Sequence, residues 1–454
     1  MNDDSMREAA AERLLTAELV AVLAPSATAK AIAWWPRWAA AAVAVFGLVT
    51  VLGVAALRAR EGTFAQQPAF DALDPAFNEE WPVTPRAVPI ADWTQLNAAP
   101  ADADSIYLRP ATQDLLAAAA RRPGLKRLAA HPARDGSTLS LGILSVAREL
   151  ETLSLSSPFP AGELRELRHL QSLRRLTLGV DLDEATARAI AEAPFLRALV
   201  LGRSAPSPDG VRALSGLPDL EFLGIHTAGS NSNDPAWMNE LPRLRSLKGL
   251  RLEGVTPPDN LAAILSQLPQ LRLLQLVHVQ ANDSVLAAVP IWIERLQLGD
   301  LRGASASALL DLSRCRKLRS LGLRALRSGH DDTVCELVRR LPLEQFEDFV
   351  GAPSDELWKV LQEKASLRLL RIRMQGEDLA PHIQRAASCR ALEVLELVTA
   401  EVPAVDSFRP LLELPVLRRI HIYVHNGTPW QPMPAPELPE LRAMFPGRLA
   451  VFVD

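Results

Sequence analysis

Leucines recur along this chain in a fixed phrase: a leucine, two variable residues, a leucine, one variable residue, then a leucine or isoleucine. It reads "LETLSL" from Leu150, "LRRLTL" from Leu173, "LRALVL" from Leu196, "LEFLGI" from Leu220 and "LKGLRL" from Leu247. It continues as "LRLLQL" from Leu271, "IERLQL" from Ile293, "LRSLGL" from Leu318, "LRLLRI" from Leu367, "LEVLEL" from Leu392 and "LRRIHI" from Leu417, with a degenerate copy, "LEQFEDF", from Leu343. The starts lie 22 to 27 residues apart, most often 24 or 25. The alternation at the end of each phrase predicts a short strand whose second and third leucines point inward. Between phrases the period changes. In "NLAAILSQLPQL", Leu261, Ile264, Leu265 and Leu268 fall on one face of a helix. Pro269, Pro342, Pro415 and Pro439 stand just before the next phrase, where that helix must end. No single strand-and-return unit buries both its strand leucines and its helix face, so the units must stack.

Upstream of the repeats the pattern differs. Residues 1–37 form a short tail in which Leu15, Leu19, Val22 and Leu23 predict a helix ended by Pro25. That helix is either a docking element for a partner or a pre-membrane helix of no special chemistry. Residues 38–57, "WAAAAVAVFGLVTVLGVAAL", carry no charge. At ~1.5 Å per residue they span ~30 Å, the thickness of a hydrocarbon core. Trp34, Trp35 and Trp38 crowd one end as interface aromatics do. The stretch is longer and later than the apolar core of a cleaved signal peptide, so it reads as an uncleaved single-pass transmembrane helix. A buried soluble helix is the competing reading. Residues 58–90 are a Pro-rich linker. Residues 91–149 are a cap with irregular repeats, one of them "LKRLAA" at Leu125. The leucine repeats occupy 150–440, and 441–454 close the C-terminus.

The phrases from about residue 120 onward resemble the leucine-rich-repeat family, and among its members the single-span membrane-anchored bacterial proteins. The resemblance implies an α/β fold: a right-handed solenoid with a parallel sheet on its concave face and helices on its convex face, here preceded by one transmembrane helix. One departure stands out. The family often has Asn or Cys three residues after the last strand leucine; this chain has Phe159 or a neighbour, Ser204 and Val279 near those sites.

Composition changes the picture in three ways. A formal net charge of -4 gives no general drive toward nucleic acid, so none is expected as a partner. Cys315, Cys335 and Cys389 are too few for a disulfide scaffold. Cys315 and Cys389 stand three repeats apart, beyond the ~7 Å reach of a disulfide when strands are ~4.8 Å apart. No phosphate loop, dinucleotide fingerprint, zinc-protease motif, nucleophile elbow or C-x-x-C is present, so neither catalysis nor a cofactor or metal is expected.

Recognition is the better expectation, because the sheet displays the variable residues of each phrase. The middle positions read Ser154, Thr177, Val200, Gly224, Arg251, Gln275, Gln297, Gly322, Glu347, Arg371, Glu396, His421. The last four alternate in charge, with Phe349, Arg373, Arg419 and Tyr423 beside them. Glu347, Phe349, Arg371, Arg373, Glu396, Arg419, His421 and Tyr423 are therefore the candidate partner-binding residues, for a protein or cell-envelope ligand. Alternating charges also serve solubility and cross-strand pairing. Three functions compete: a membrane-anchored recognition module, a signalling component whose tail holds a cytoplasmic regulator, and a structural spacer. Ala- and Arg-rich composition points to a bacterial source, with the repeats expected in the periplasm or outside the cell.

Overall fold

The computed structural model of the protein describes residues 88–453, apart from 133–138, 157–158, 203–204, 228–233, 324–329, 349–352, 374–377, 400–401 and 425–437. The expected tail helix, the apolar stretch 38–57 and the expected linker up to residue 87 lie outside the described residues. Among the described residues no helix is long and apolar enough to cross a membrane.

Among the described residues one parallel sheet of 16 strands follows chain order, each strand bonded to the next. Its strands are β1 (Val88–Ile90), β2 (Ser105–Ala111), β3 (Arg127–Pro132), β4 (Thr152–Leu155) and β5 (Arg175–Leu178). Then come β6 (Ala198–Gly202), β7 (Phe222–His226), β8 (Gly249–Glu253), β9 (Leu273–Gln280), β10 (Arg295–Asp300) and β11 (Ser320–Leu323). The last five are β12 (Gln345–Asp348), β13 (Leu369–Arg373), β14 (Val394–Thr399), β15 (Arg419–Val424) and β16 (Leu449–Val453). A parallel-sheet solenoid is the architecture that the leucine-rich-repeat resemblance implies.

The leucine phrase explains each strand. Leu150, Leu153 and Leu155 have no exposed surface, nor do Leu196, Leu199, Leu247, Leu250 and Leu252. These leucines join the helix leucines in one hydrophobic cluster that runs from Ile90 to Phe445. Burial of each contributes roughly 1.5–3 kcal/mol before entropic costs. The degenerate phrase works because Phe346, 1% exposed, replaces the middle leucine and still pairs with Leu321 and Leu370. Strand starts are held by a shared acceptor. The Glu151 carbonyl accepts the N–H groups of both Arg174 (2.8 Å) and Arg175 (3.0 Å), and the Arg174 carbonyl does the same for Arg197 and Ala198. That pattern repeats through Glu393, whose carbonyl accepts from Arg418 and Arg419.

The returns are shorter than the apolar period suggests; among the described residues the longest α-helix, Asp331–Arg340, has 10 residues. Side-chain caps start several of them: Asp183 Oδ1 accepts the Thr186 N–H at 2.7 Å, and Ser354 Oγ accepts the Leu357 N–H at 3.2 Å. Two returns, Pro235–Arg243 and Val405–Glu413, are 3-10 helices with Pro242 and Pro410 inside them. Proline has no N–H to give to an α ladder and crowds the carbonyl four residues back, so the tighter helix replaces it.

Two positions differ from expectation. The sheet begins at Val88–Ile90, inside the last residues of the expected linker 58–90. Pro89 disguises this strand, and β1 can hold a proline because it is a sheet edge. The loop sites that lack Asn or Cys are filled by apolar burial instead: Val279 has no exposed surface and Phe159 is buried. Ser204 lies outside the described residues.

Candidate functional site

Because strands stack in register, the middle positions form one continuous outward column. Ser154, Thr177, Val200, Gly224 and Arg251 stand side by side, then Gln275, Gln297, Gly322, Glu347, Arg371, Glu396 and His421. At the C-terminal end three columns run in parallel. Leu369, Val394 and Arg419 form one, Arg371, Glu396 and His421 the second, and Arg373, Val398 and Tyr423 the third.

The charged members are bonded to one another. Arg371 Nη1 donates to Glu347 Oε2 at 3.2 Å, and Arg371 Nε donates to Glu396 Oε2. The other oxygen of that carboxylate, Glu396 Oε1, lies 3.0 Å from His421 Nδ1. A carboxylate can only accept, so His421 carries its proton on Nδ1. The Tyr423 ring meets the His421 ring edge-on, centroids 6.3 Å apart. Glu396 is almost wholly buried, its side chain 8% exposed. Burial alone would raise its carboxyl, but the Arg371 charge and the His421 hydrogen bond outweigh that and hold it at about 2. The centre of the patch is therefore a preset ionic ladder. Arg373, Arg419 and Tyr423 flank it, half-buried. Phe349, the remaining candidate, lies outside the described residues.

A second constellation was not anticipated. Glu253 on β8 accepts from Arg251 Nη2 at 2.8 Å and lies between His226 Nδ1 at 3.1 Å and His278 Nδ1 at 3.5 Å. Burial would raise this carboxyl, but Arg251 and then His226 hold it below the usual carboxylate range. His278 has a φ of 50°, unusual for a residue other than glycine, and sits where the β9–β10 register shifts. The bulge brings its backbone against β10: a Cβ on Gly299 would lie 2.5 Å from the His278 nitrogen. The signal in the sequence was three strand-end positions on consecutive phrases, His226, Glu253 and His278, hidden because the bulge shifts the last one.

A charged rail also runs along the N-terminal ends of the strands, from the second residue of each phrase. Arg197 and Lys248 both reach Glu221 at 2.7 Å, Arg272 lies 3.4 Å from Glu294, and Arg418 lies 3.6 Å from Glu393. Arg319 pairs with Glu344 and Arg368 with Glu393. Arg174 and Arg197 are one of two pairs of neighbouring cations, with Lys248 and Arg272, and the Arg174 guanidinium turns onto the Phe195 ring, 5.2 Å from its centroid. Every phrase carries Arg, Lys or Glu at this position, a regularity that shows only when the phrases are aligned.

All three cysteines are free and buried. Burial pushes the Cys389 thiol up to about 12 and raises those of Cys315 and Cys335. Cys315 precedes β11 and Cys389 precedes β14, three strands apart as the repeat count implied. Among the described residues no group of His, Cys, Asp and Glu is placed to hold a metal ion.

No protein-family model matches the chain, and no curated protein matches it. Among solved structures the chain is similar to an internalin, InlF, from Listeria monocytogenes strain 4b F2365. The identity is 16%, the match covers 67% of this chain and 82% of that chain, and the TM-score is 0.34.

Proposed function

We propose that this chain is a membrane-anchored recognition module that binds a protein or cell-envelope partner through the outward face of its sheet and performs no catalysis. The observation that carries this reading is the three-column patch on β13 to β15. Its ionic centre, Arg371, Glu396 and His421, is bonded before any partner arrives, so little side-chain order has to be gained on binding. Tyr423, Arg419 and Arg373 surround it with an aromatic anchor and orienting cations, the residue types that dominate protein interfaces.

Anchoring is read from the uncharged stretch 38–57, with the short tail inside the cell and the repeats outside, in a bacterial periplasm or at the cell surface. Reporter fusions at both termini test the orientation; a cytoplasmic signal from the C-terminal fusion would reverse it. The binding face is tested with a photo-crosslinking side chain at position 423 of the full chain, in cells. One discrete adduct, lost when Arg419→Glu is added, is expected. Adducts that are equally strong with and without Arg419→Glu would remove this patch from consideration. Arg371 is unsuited to the test, because its loss strands two carboxylates that it bridges.

A further inference from the structure

The rim of the sheet at the N-terminal ends of its strands is cationic. Each of the 13 phrases from Leu125 to Leu417 is entered through a short turn. The seven residues from five before each phrase to its second position hold 21 of the chain's 49 Lys and Arg but 10 of its 53 Asp and Glu, in a chain of formal net charge -4. The excess is concentrated over β8 to β11. There the four turns 242–248, 266–272, 288–294 and 313–319 carry eight Lys or Arg and one carboxylate, Glu294.

These turns are built alike. The Leu247 N–H donates to the Leu244 carbonyl at 3.1 Å, Leu271 to Leu268 at 3.1 Å, Ile293 to Pro290 at 3.2 Å and Leu318 to Cys315 at 2.9 Å. A turn closed in this way projects its two central residues. Those tips are Arg245–Ser246, Pro269–Gln270, Ile291–Trp292 and Arg316–Lys317. Paired strands are ~4.8 Å apart, so the Ile–Trp tip before β10 stands beside the Arg–Lys tip before β11. Ile291 is 57% exposed, and the Trp292 indole N–H has no acceptor.

Ion pairs account for half of the cations: Lys248 is held by Glu221, Arg272 by Glu294, Arg319 by Glu344 and Arg243 by Glu240. Among the described residues Arg245, Arg316 and Lys317 are exposed and form no ion pair. Arg314 donates to the carbonyls of Asp311, Leu286, Ala287 and Val289, which ties the β11 turn to the turn of Ile291 and leaves its charge without a carboxylate. Asp219 on the β7 tip and Asp311 on the return before β11 mark the borders of the patch. A projecting apolar pair among such cations matches a bilayer boundary, where apolar groups enter and cations meet phosphates. A nucleic acid would use the cations and leave Ile291 in water.

We propose that the rim over β8 to β11 docks on an anionic lipid bilayer, with Ile291 and Trp292 entering the headgroup boundary and Arg245, Arg314, Arg316 and Lys317 on lipid phosphates. Docked this way, the solenoid points its strand N-termini at the membrane and keeps the sheet face open to a partner. The inference rests on the membrane-anchored reading for a bilayer close by, since a tether raises the effective concentration seen by a weak patch.

The test uses the full chain with Ile291→Cys carrying an NBD fluorophore, the natural thiols being buried. Vesicles are phosphatidylcholine alone, or with about one third phosphatidylglycerol. NBD emission should be at least about twofold higher with the anionic vesicles, where the label leaves water. Adding Arg245→Glu, Arg316→Glu and Lys317→Glu, in a variant that still melts cooperatively, should abolish that gain, as should high salt. The same label at Asp259→Cys, on an exposed loop beyond the other end of β8, should report no gain. Equal emission with both vesicles, a gain kept by the charge-reversed variant, or an equal gain at position 259 overturns the docking. So does an equal rise with polyglutamate or an oligonucleotide, which would assign the rim to an acidic polymer. Flotation with phosphatidylcholine vesicles scores the anchor separately: if it fails, the anionic vesicles still test the rim.

Discussion

Trp358 donates its indole N–H to Nδ1 of His382 at 3.1 Å, both side chains buried between neighbouring returns. The ring centroids lie 5.9 Å apart. An indole only donates, so His382 must offer a lone pair at Nδ1 and carry its hydrogen on Nε2.

His382→Leu keeps the volume but removes the acceptor. A buried donor left unpaired costs about 1–3 kcal/mol, so this variant should unfold at lower urea by that amount. His382→Gln, which can still accept, should lose less. Urea titration followed by circular dichroism separates them; equal losses would mean that packing alone matters at this site.

Glu396 predicts an acid-sensitive stability. Its folded carboxyl is held at about 2, below the ordinary value of 4.5. The stabilisation is fully present above pH 4.5 and is lost as pH falls toward 2. Linkage makes the whole effect about 3 kcal/mol. Unfolding free energy measured between pH 6 and pH 2.5 should fall less steeply in Glu396→Gln than in the natural chain. Parallel curves would show that Glu396 contributes no acid sensitivity.

Stacking was legible because it rests on repetition: the phrases around Leu176, Leu250 and Leu395 each define a strand, and equal spacing places them side by side. The lateral order Glu347, Arg371, Glu396, His421 followed from that spacing alone. What periodicity does not encode is local. The β1 strand was hidden by Pro89, the His278 bulge by a one-residue register shift, and the 3-10 returns by prolines whose effect depends on the ladder they interrupt. The rail was overlooked for a different reason: charged residues next to strand leucines look like ordinary surface until neighbouring phrases are aligned.

The rail predicts unequal costs for equal substitutions. Glu221 is 13% exposed in its side chain and reaches two cations at 2.7 Å. Glu151 is 52% exposed and has one partner at 3.9 Å. Glu221→Gln should cost about 1 kcal/mol, since its cationic partners are partly solvated, and Glu151→Gln close to zero. Adding 0.5 M salt should shrink the difference. Equal effects would reduce the rail to a solubility feature.

The cysteines should be silent in the folded chain. Thiol reagents attack the thiolate, and burial holds the Cys389 thiol up to about 12 with Cys315 and Cys335 also raised. Ellman's reagent at pH 8 should modify none of the 3 cysteines natively and all of them in denaturant. Rapid native labelling would mean that at least one return opens locally.

Gly210 sets how closely two returns can approach. It lies in the helix Pro208–Ala213, its N–H donating to Ser207 Oγ at 3.0 Å. A Cβ there would fall 2.4 Å from the Leu182 carbonyl oxygen, which also accepts the Ser207 N–H at 2.9 Å. That oxygen belongs to backbone and cannot swing aside, so Gly210→Ala must push the two segments apart, at about 1–3 kcal/mol. Gly162 is the control. It also lies in a helical turn, Ala161–Leu164, yet a Cβ there meets nothing within 4 Å. Gly162→Ala should be neutral or stabilising by up to about 1 kcal/mol, the helix preference of alanine. Thermal melts of the two variants should therefore move in opposite directions, or at least by clearly different amounts. Equal melting temperatures would mean that the spacing at Leu182 is looser than this contact requires.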